Sequence, residues 1–387
     1  MAITAQEWEQ AEVSDITMQV VKARVVSGWK NGDEQDCDLT CYFVLRKAIM
    51  KTLAAGLLLS SISLCSYTFW KSKWLDHEIN LWKSYLQETR TKGTANFFRI
   101  LETWHTSGIF FVETSDRLAP SSLEMCSIES AARTYFSKPV FFLMKGLSRI
   151  NRWNSSFKAL TLLSSFKNIK ILPLRFDDVF QHTPMLDWYQ KINPDTEPFW
   201  IHQLSDACRQ VLLWKFGGIY MDTDVISLRP IPEEDFLAAE SHVLCSSAVL
   251  GFRRFHTFLW DCMEDFVANY DGKLWGQQGP MLYTRMSERL CQIPSFDVVR
   301  DNKCQHFVYM HRVRFYPIEY QSWKKYFELW DGNDTIFHHS YALHFWNHMN
   351  NEHMHVTAGS NTLAEHLFKQ NCPLTYEHFV KKNELTP

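Results

Sequence analysis

Two aspartates separated by one residue follow an apolar run near the middle of the chain. Asp222 and Asp224 end the segment Ile-Tyr-Met-Asp-Thr-Asp, whose first three residues are typical of a buried strand. In an extended chain, residues i and i+2 lie on the same face, so the two carboxylates can converge on one cation. Carboxylate oxygens suit Mg²⁺ or Mn²⁺, which are often shared with phosphate oxygens. The spacing therefore predicts a divalent-cation site for a phosphate-bearing ligand, and a solvated turn is the less favoured alternative.

A long helix and two glycines precede these aspartates. Residues 198–216 have helical spacing, with apolar residues such as Leu204 and Leu212 on one face. Gly217 is suited to a left-handed helix end, and the strand begins directly after it. The two carboxylates are therefore expected at the carboxyl end of a strand, which is where open α/β sheets bind their ligands.

The sequence before this helix alternates between short apolar runs and helical stretches. Three runs are typical of strands that are buried on both faces, namely Gly108 to Glu113, Val140 to Met144 and Ile169 to Leu174. Two stretches between them have helical spacing, Ser122 to Tyr135 and Ser155 to Phe166, and Ser121 or Ser122 can cap the first. This alternation predicts an α/β fold around a mostly parallel sheet.

One segment near the amino terminus is typical of a membrane span. Residues 52–70 carry no charge and are flanked by lysines and an arginine, and about 20 such residues cross a bilayer. A cleaved signal peptide is less favoured because bulky aromatic residues close the segment and about fifty polar residues come first. We therefore predict a poorly ordered cytoplasmic tail over residues 1–51, a transmembrane signal anchor over 52–70, a stem over 71–107 and a luminal catalytic domain over 108–387.

Charge does not orient this segment, because three cations lie within 15 residues on each side of it. Two glycosylation sequons, at Asn154 and Asn333, are usable only if the large part of the chain is luminal. Seven cysteines follow the segment without a CxxC pair, which excludes a zinc ribbon. In an oxidising lumen, Cys291 and Cys304 are a plausible short-loop disulfide.

Composition excludes one large class of function. The chain has 387 residues, 46% of them hydrophobic, and 40 Lys plus Arg against 43 Asp plus Glu. A core of useful size can form, but no basic excess is present to neutralise phosphates along a duplex. No nucleic-acid partner is expected.

Ten sequence blocks, in one order over residues 108–380, resemble the α-1,4-glycosyltransferases of glycosyltransferase family 32. The blocks are IFFVETSDR (109–117), MCSIESAAR (125–133), LMKG (143–146), TPMLDWY (183–189), LSDACR (204–209), WKFGGIYMDTDVISL (214–228), WGQQGP (275–280), FYPI (315–318), WKKYF (323–327) and HFWN (344–347). The resemblance implies a GT-A nucleotide-sugar fold, a type II Golgi membrane topology, a UDP-sugar donor, Mn²⁺ (or Mg²⁺) and retention of the donor's α configuration. It further implies transfer of galactose or N-acetylgalactosamine to the terminal sugar of a glycosphingolipid.

The same resemblance assigns site residues in this chain. It places the metal and the donor diphosphate on Asp222 and Asp224, with His344 as a third metal ligand and Gln278 near the anomeric carbon. The donor-binding residues that it implies are Glu113, Thr114, Ser115, Asp206, Arg209, Gly218, Tyr220, Trp275, Gly276 and Asn347. A satisfied histidine between aromatic residues remains the alternative for His344, and a local ion pair remains open for Asp206 and Arg209.

Two segments depart from the family's pattern. Ser246 and Ser247 stand where relatives have Asn-Gly, and Gln277 stands where relatives often carry His. Both departures fall on the donor and acceptor pockets, so they bear on the choice of sugar more than on the reaction.

In the mechanism that follows, the cation neutralises the departing diphosphate while the acceptor hydroxyl attacks from the same face. Three other functions remain open. One is a phosphatase or phosphotransferase in which Asp222 attacks phosphorus, although Val225-Ile226 follow where Gly-Thr is usual. Another is an inactive, membrane-tethered sugar-binding protein. The third, within the transferase class, is N-acetylglucosamine transfer to O-glycans, since one acetamido group is distinguished by only a few contacts.

Overall fold

The computed structural model describes residues 107–150, 157–241, 243–291 and 300–382, together with Asn80. The predicted tail (1–51), the predicted membrane anchor (52–70) and nearly all of the predicted stem lie outside this range, as does the sequon at Asn154. Within the described residues, no helix is both long enough and apolar enough to cross a bilayer.

The described residues contain ten strands and nine α-helices. The strands are β1 (Gly108–Glu113), β2 (Val140–Met144), β3 (Ile169–Pro173), β4 (Gly218–Met221), β5 (Val225–Ser227), β6 (Phe236–Ala238), β7 (Val249–Phe252), β8 (Asn302–Cys304), β9 (Phe307–Met310) and β10 (Ala342–His344). The α-helices are α1 (Ser122–Thr134), α2 (Lys158–Leu163), α3 (Phe176–Phe180), α4 (Met185–Lys191), α5 (Trp200–Phe216), α6 (Thr257–Ala268), α7 (Pro280–Glu288), α8 (Leu363–Asn371) and α9 (Pro373–Thr375).

Eight strands form one mixed sheet in the order β3-β2-β1-β4-β7-β6-β9-β8. The first four strands are parallel neighbours. Strand β7 is antiparallel to both β4 and β6, and β8 is antiparallel to β9, whereas β6 and β9 are parallel. Four of the seven strand pairings are parallel, so the expected mostly parallel sheet holds for the β3–β4 half, whereas the other half is mixed. Short strands with few connecting helices gave no sequence signal for the antiparallel pairings.

The elements predicted around the aspartates are present. Strands β1 and β2 have the predicted bounds, and β3 ends one residue earlier than predicted. Helix α1 begins with a capping box in which Ser121 and Glu124 bond each other's backbone N–H. Helix α5 begins two residues later than predicted and ends at Gly217, whose φ of +67° suits glycine. Helix α2 is shorter than predicted.

The two faces of the sheet are covered by different helices. Ile109 and Phe111 belong to the buried cluster that includes residues of α1. Phe110 points to the opposite face, where its ring lies 6.2 Å from that of Phe216 at the end of α5. Because both faces are buried, the sequence of β1 is apolar throughout rather than alternating. The sheet edges and the carboxyl ends of the strands are left for binding.

Two disulfides are present among the described residues, Cys126–Cys372 and Cys291–Cys304. The second confirms the predicted short loop. The first fastens α1 to the segment after α8, and Glu129 of α1 reinforces this link. Its buried carboxylate accepts hydrogen bonds from the backbone N–H of Thr375 at 2.7 Å and from the Thr375 hydroxyl at 2.8 Å.

Candidate active site

Three potential metal ligands meet where β4 ends. Met221 closes β4, and a turn carries the chain through Asp222 and Asp224 into β5. Strand β10 pairs antiparallel with β5 and places His344 opposite Val225. One ligand atom from each of Asp222, Asp224 and His344 lies within 4.8 Å of the other two. The long-range pairing of β5 with β10 therefore brings the histidine to the aspartates.

Protein donors hold the carboxylates in place. The Tyr220 hydroxyl donates to Asp222 Oδ1 at 2.7 Å, and the backbone N–H of Asn347 donates to Asp224 Oδ2 at 2.8 Å. Nε2 of His344 lies 3.1 Å from Asp224 Oδ1. Such outer contacts fix the orientation of metal ligands and raise metal affinity. Each aspartate is thus anchored through one oxygen by a group other than the histidine.

Arg209 is the central cation of the site. Its side chain is 5% exposed, and Nη2 lies 3.2 Å from Asp206 Oδ1 and 3.3 Å from Asp222 Oδ1. The guanidinium also lies over the ring of Tyr220, 4.5 Å from its centre, and donates to the carbonyl of Ser247. The local ion pair of Asp206 and Arg209 is therefore formed, and the same arginine also contacts a candidate metal ligand.

Burial raises the pKa of two of these carboxyl groups. The pKa of Asp206 is about 6, because desolvation and the charge of Asp222 outweigh the attraction of Arg209. The pKa of Asp222 is also raised, first by burial and then by Asp224, against the opposing effect of Arg209. One arginine is too little positive charge for three clustered carboxylates, so a divalent cation would stabilise them.

The pKa values of Asp224 and His344 shift in the direction opposite to the effect of burial. Burial alone would raise the pKa of Asp224, but the charge and hydrogen bond of His344 lower it. Burial alone would lower the pKa of His344, but Asp224, with Asp222 and Glu240, raises it. Each group therefore favours the charged form of its neighbour.

These residues fit a hard or borderline divalent cation. Two carboxylates and one imidazole are ligands that Mn²⁺ and Mg²⁺ accept, and the carboxylates leave room for substrate oxygens. Nδ1 of His344 is buried and has no hydrogen-bond partner among the described residues. The other ring nitrogen, Nε2, is the one that faces Asp224 and could join the two carboxylates as a metal ligand.

The predicted donor residues at the end of β1 are engaged in internal contacts. The carboxylate of Glu113 accepts hydrogen bonds from the backbone N–H of Ser115 at 2.8 Å and from Arg117 Nε at 3.1 Å. The Thr114 hydroxyl donates to the carbonyl of Ile201 at 2.8 Å. β1 and β4 are parallel neighbours, so these residues and the aspartates both lie at the carboxyl ends of the strands. Of the three predicted residues, Ser115 is the half-buried one; the other two are buried.

The loop of residues 275–280 approaches the site through Gln278 and Gly279. A Cβ at Gly279 would lie 2.7 Å from Asp206 Oδ1 and 3.0 Å from Ser247 Oγ, so only glycine permits this approach. Gln278 Nε2 donates to the carbonyl of Phe266 at 3.1 Å, while its buried Oε1 has no partner among the described residues. The loop therefore lies beside Asp206, and Trp275 at its start is 42% exposed.

Gly218 has a structural reason to be glycine. Its φ is +115°, and an added Cβ would lie 2.1 Å from the carbonyl oxygen of Gly108 in the neighbouring strand. The glycine lets β4 lie close to β1, which sets the position of the aspartates at its end.

Sequence reasoning missed several residues around the site. Ser205 contacts both the Tyr220 hydroxyl, at 2.9 Å, and Arg209. Glu240, just after β6, is close enough to raise the pKa of His344. His202 lies one helical turn before Asp206, and His348 directly follows Asn347. The rings of both histidines contact the ring of Trp275. The helical spacing of His202 and Asp206 was the one signal available for these residues.

Comparison with known proteins gives two family-model matches and a solved structure. Residues 121–244 match the family model described as "Glycosyltransferase sugar-binding region containing DXD motif", and residues 251–379 match "Alpha 1,4-glycosyltransferase conserved region". A solved structure, "PaToxG Glycosyltransferase", aligns with 58% of this chain and 80% of its own at a TM-score of 0.39 and 14% identity.

Two curated relatives each align with more than two thirds of this chain. Alpha-1,4-N-acetylglucosaminyltransferase of Homo sapiens is 47% identical over 282 residues, which are 72% of this chain and 83% of the relative. Lactosylceramide 4-alpha-galactosyltransferase of Mus musculus is 41% identical over 271 residues, which are 69% of this chain and 75% of the relative. With its Asp-x-Asp pair at the centre of the site, the chain belongs to the α-1,4-glycosyltransferase family and is a hexosyltransferase.

Proposed function

We propose that this protein transfers a sugar from a UDP-sugar to a glycoconjugate acceptor, with retention, and forms an α-1,4 linkage. The observation that carries the proposal is the convergence of Asp222, Asp224 and His344 at the carboxyl end of β4. These three residues would hold Mn²⁺ or Mg²⁺, which would supply positive charge to the leaving diphosphate. The GT-A fold is part of this proposal.

The remaining site residues have roles on the sugar side. The Asp206 carboxylate and the unpaired Oε1 of Gln278 are polar acceptors for sugar hydroxyl groups, and both lie at the loop of residues 275–280. Arg209 keeps Asp206 and Asp222 oriented through its two ion pairs. Glu240 adds one half-buried carboxylate whose charge raises the pKa of His344.

Three UDP-sugars are candidate donors. The higher identity to the N-acetylglucosaminyltransferase favours UDP-N-acetylglucosamine and an O-glycan acceptor. The galactosyltransferase relatives support UDP-galactose, with UDP-N-acetylgalactosamine as a variant, and a glycolipid acceptor. Discrimination between these donors rests on a few pocket contacts.

We further propose a luminal catalytic domain on a single-pass type II Golgi membrane protein anchored by residues 52–70. Two disulfides in the catalytic domain, one of them between residues 246 apart, support an oxidising compartment. The uncharged segment with cationic flanks supports the anchor.

The test uses the purified full-length protein with Mn²⁺ and three donors: UDP-galactose, UDP-N-acetylgalactosamine and UDP-N-acetylglucosamine. Lactosyl, N-acetylgalactosaminyl and N-acetyllactosaminyl acceptors are offered with each, and NMR identifies the product linkage. Turnover with one donor, an α-1,4 product and loss of turnover on chelation are expected.

Variants connect this activity to the site. Asp222→Asn and Asp224→Asn are expected to abolish transfer while the protein stays folded. Asp195→Asn, at an exposed position in a turn, is the matched control. Near-normal turnover in both site variants, or a product with inverted anomeric configuration, would contradict the proposal.

A further inference from the structure

Three aromatic rings meet beside the candidate active site. The imidazole of His348 stacks on the indole of Trp275, with ring centres 4.0 Å apart and planes 8° apart. His202 lies nearly perpendicular to both rings, 4.6 Å from Trp275 and 5.3 Å from His348. All three residues are partly exposed to solvent. We call these three residues the aromatic platform.

The distances show which face of Trp275 the imidazoles leave open. If His202 lay on the face opposite His348, the two imidazoles would be separated by nearly the sum of their distances to the indole. Their actual separation of 5.3 Å is much shorter, so His202 lies beside the stack, at the edge of the indole. Neither imidazole covers the second indole face. The ring of Phe199 also contacts the indole, nearly perpendicular to it and with ring centres 5.3 Å apart, and Trp275 remains 42% exposed.

Exposed apolar residues surround the aromatic platform. Ile201, Leu274 and Met349 are the chain neighbours of its members, and the backbone N–H of Met281 bonds the carbonyl of Gly276 at 3.0 Å. With Trp275, these make five of the ten exposed large hydrophobic residues among the described residues. Such concentration of exposed apolar surface marks a binding site rather than ordinary surface.

The aromatic platform is tied to the reacting centre on two sides. Asn347, the residue before His348, donates its backbone N–H to Asp224. Gly279, four residues after Trp275, abuts the carboxylate of Asp206. Both members of the Trp275–His348 stack are therefore joined by short stretches of chain to residues that contact the candidate active site, so a molecule lying on the indole is close to that site.

We propose that the aromatic platform binds a sugar ring of the acceptor, whose apolar face stacks on the exposed surface of the Trp275 indole. His348 and His202 are positioning residues that hold the indole and offer ring nitrogens to sugar hydroxyl groups. This deepens the proposed function and rests on it. It also moves Trp275 from the donor side, where the sequence resemblance placed it, to the acceptor side.

The chemistry of the surface favours a sugar over a lipid surface. A pyranose ring presents an apolar face bordered by hydroxyl groups, which matches an indole bordered by two imidazoles. Partial burial, with His348 and Arg209 nearby, lowers the pKa of His202 to about 4, so its ring is neutral at pH 7 and offers one donor and one acceptor. A lipid chain would gain nothing from these polar groups.

The test compares full-length wild-type protein with Trp275→Ala and Trp275→Phe. Acceptor KM is measured with a free disaccharide, lactose or N-acetyllactosamine, and with the same glycan on a lipid tail. Donor KM is measured from UDP-sugar hydrolysis without acceptor. For Trp275→Ala we expect an increase of about tenfold in acceptor KM for both acceptor forms and less than about twofold in donor KM. Trp275→Phe should recover most of the acceptor affinity.

Phe136→Ala is the matched control, because Phe136 is 82% exposed just after the carboxyl end of α1, at the opposite edge of the parallel strands. An increase confined to the lipid-linked acceptor would overturn the sugar assignment in favour of a lipid contact. An increase in donor KM instead would make the aromatic platform part of the donor site. An unchanged acceptor KM in Trp275→Ala would also refute the proposal that the aromatic platform binds the acceptor.

A direct binding measurement separates this proposal from the proposed function. Saturation-transfer NMR detects the free disaccharides bound to wild-type protein whether or not transfer occurs, and Trp275→Ala should lose that signal. Acceptor binding that depends on Trp275 in a protein without turnover would count against the transferase proposal alone. An equal signal from both proteins would count against the aromatic platform alone.

Discussion

Tyr220→Phe tests whether a hydrogen-bond donor that holds a candidate metal ligand contributes to metal binding. The substitution removes only the hydroxyl that donates to Asp222 Oδ1 at 2.7 Å and that also bonds the Ser205 hydroxyl at 2.9 Å. Burial raises the pKa of the Tyr220 hydroxyl far above its usual range, so it stays protonated and acts as a donor. Without it, Asp222 Oδ1 keeps Arg209 as its partner and the carboxylate is free to turn.

The size of the effect follows from this one hydrogen bond. A hydrogen bond to a charged group contributes about 1.5–3 kcal/mol, and loss of a partner behind a metal ligand weakens metal binding by about 10–100-fold. Tyr220→Phe is therefore expected to raise the Mn²⁺ concentration needed for half-maximal transfer by about 10–100-fold. Activity should largely return at saturating Mn²⁺, because the ligand itself remains.

The assay is transfer rate against Mn²⁺ concentration, with thermal unfolding to confirm folding. Tyr283→Phe is the matched control, since Tyr283 is fully buried and its hydroxyl has no hydrogen-bond partner among the described residues. It should leave the Mn²⁺ dependence unchanged. A folded Tyr220→Phe protein whose Mn²⁺ dependence stays within about twofold of wild type would refute the role of this hydroxyl.

Three further predictions concern stability. The pKa of Asp206 is raised to about 6, so the folded protein binds more protons than the unfolded chain between about pH 4 and 6, and Asp206 lowers stability as pH rises through that window. Asp206→Asn should thus stabilise the protein by roughly 3 kcal/mol at most at pH 7 and have little effect on stability at pH 4. It should also impair transfer. A larger gain in thermal stability at pH 4 than at pH 7 would contradict the predicted direction of the pH dependence. Replacing both Cys126 and Cys372 by serine opens a link between residues 246 apart and should lower the free energy of unfolding by about 2–5 kcal/mol in urea titrations; an unchanged midpoint and slope would refute it. Gly218→Ala should destabilise by more than about 2 kcal/mol, because its Cβ would meet the Gly108 carbonyl at 2.1 Å, and near-wild-type thermal stability would show that the strands can separate.

Local patterns were sufficient for the elements that carry the aspartates. The apolar run of β1 and the helix–glycine–strand order before Asp222 depend on neighbours in sequence, so their bounds could be predicted closely. The position of His344 could not be derived in this way. It depends on the pairing of β5 with β10, more than 110 residues later, and both strands have three residues, too few for a periodic signal.

The surroundings of the site were also beyond local patterns. Arg209 and Asp206 are close in sequence, and their ion pair was one of two predicted alternatives. The contacts of Arg209 with Asp222 and with the Ser247 carbonyl join three separate segments, and the stacking of Trp275 on His348 joins two more. Such contacts form only when the folded sheet brings the segments together, so residue spacing within any one segment cannot predict them.

The central claim is that Asp222, Asp224 and His344 hold the cation that transfer requires. The most direct measurement is Mn²⁺ binding to the full-length protein in the presence of UDP, followed by electron paramagnetic resonance. Wild-type protein and the control Asp195→Asn should bind Mn²⁺ at one site, and Asp224→Asn should lose it while its thermal unfolding stays cooperative. Equal Mn²⁺ binding by Asp224→Asn and wild-type protein would contradict the account.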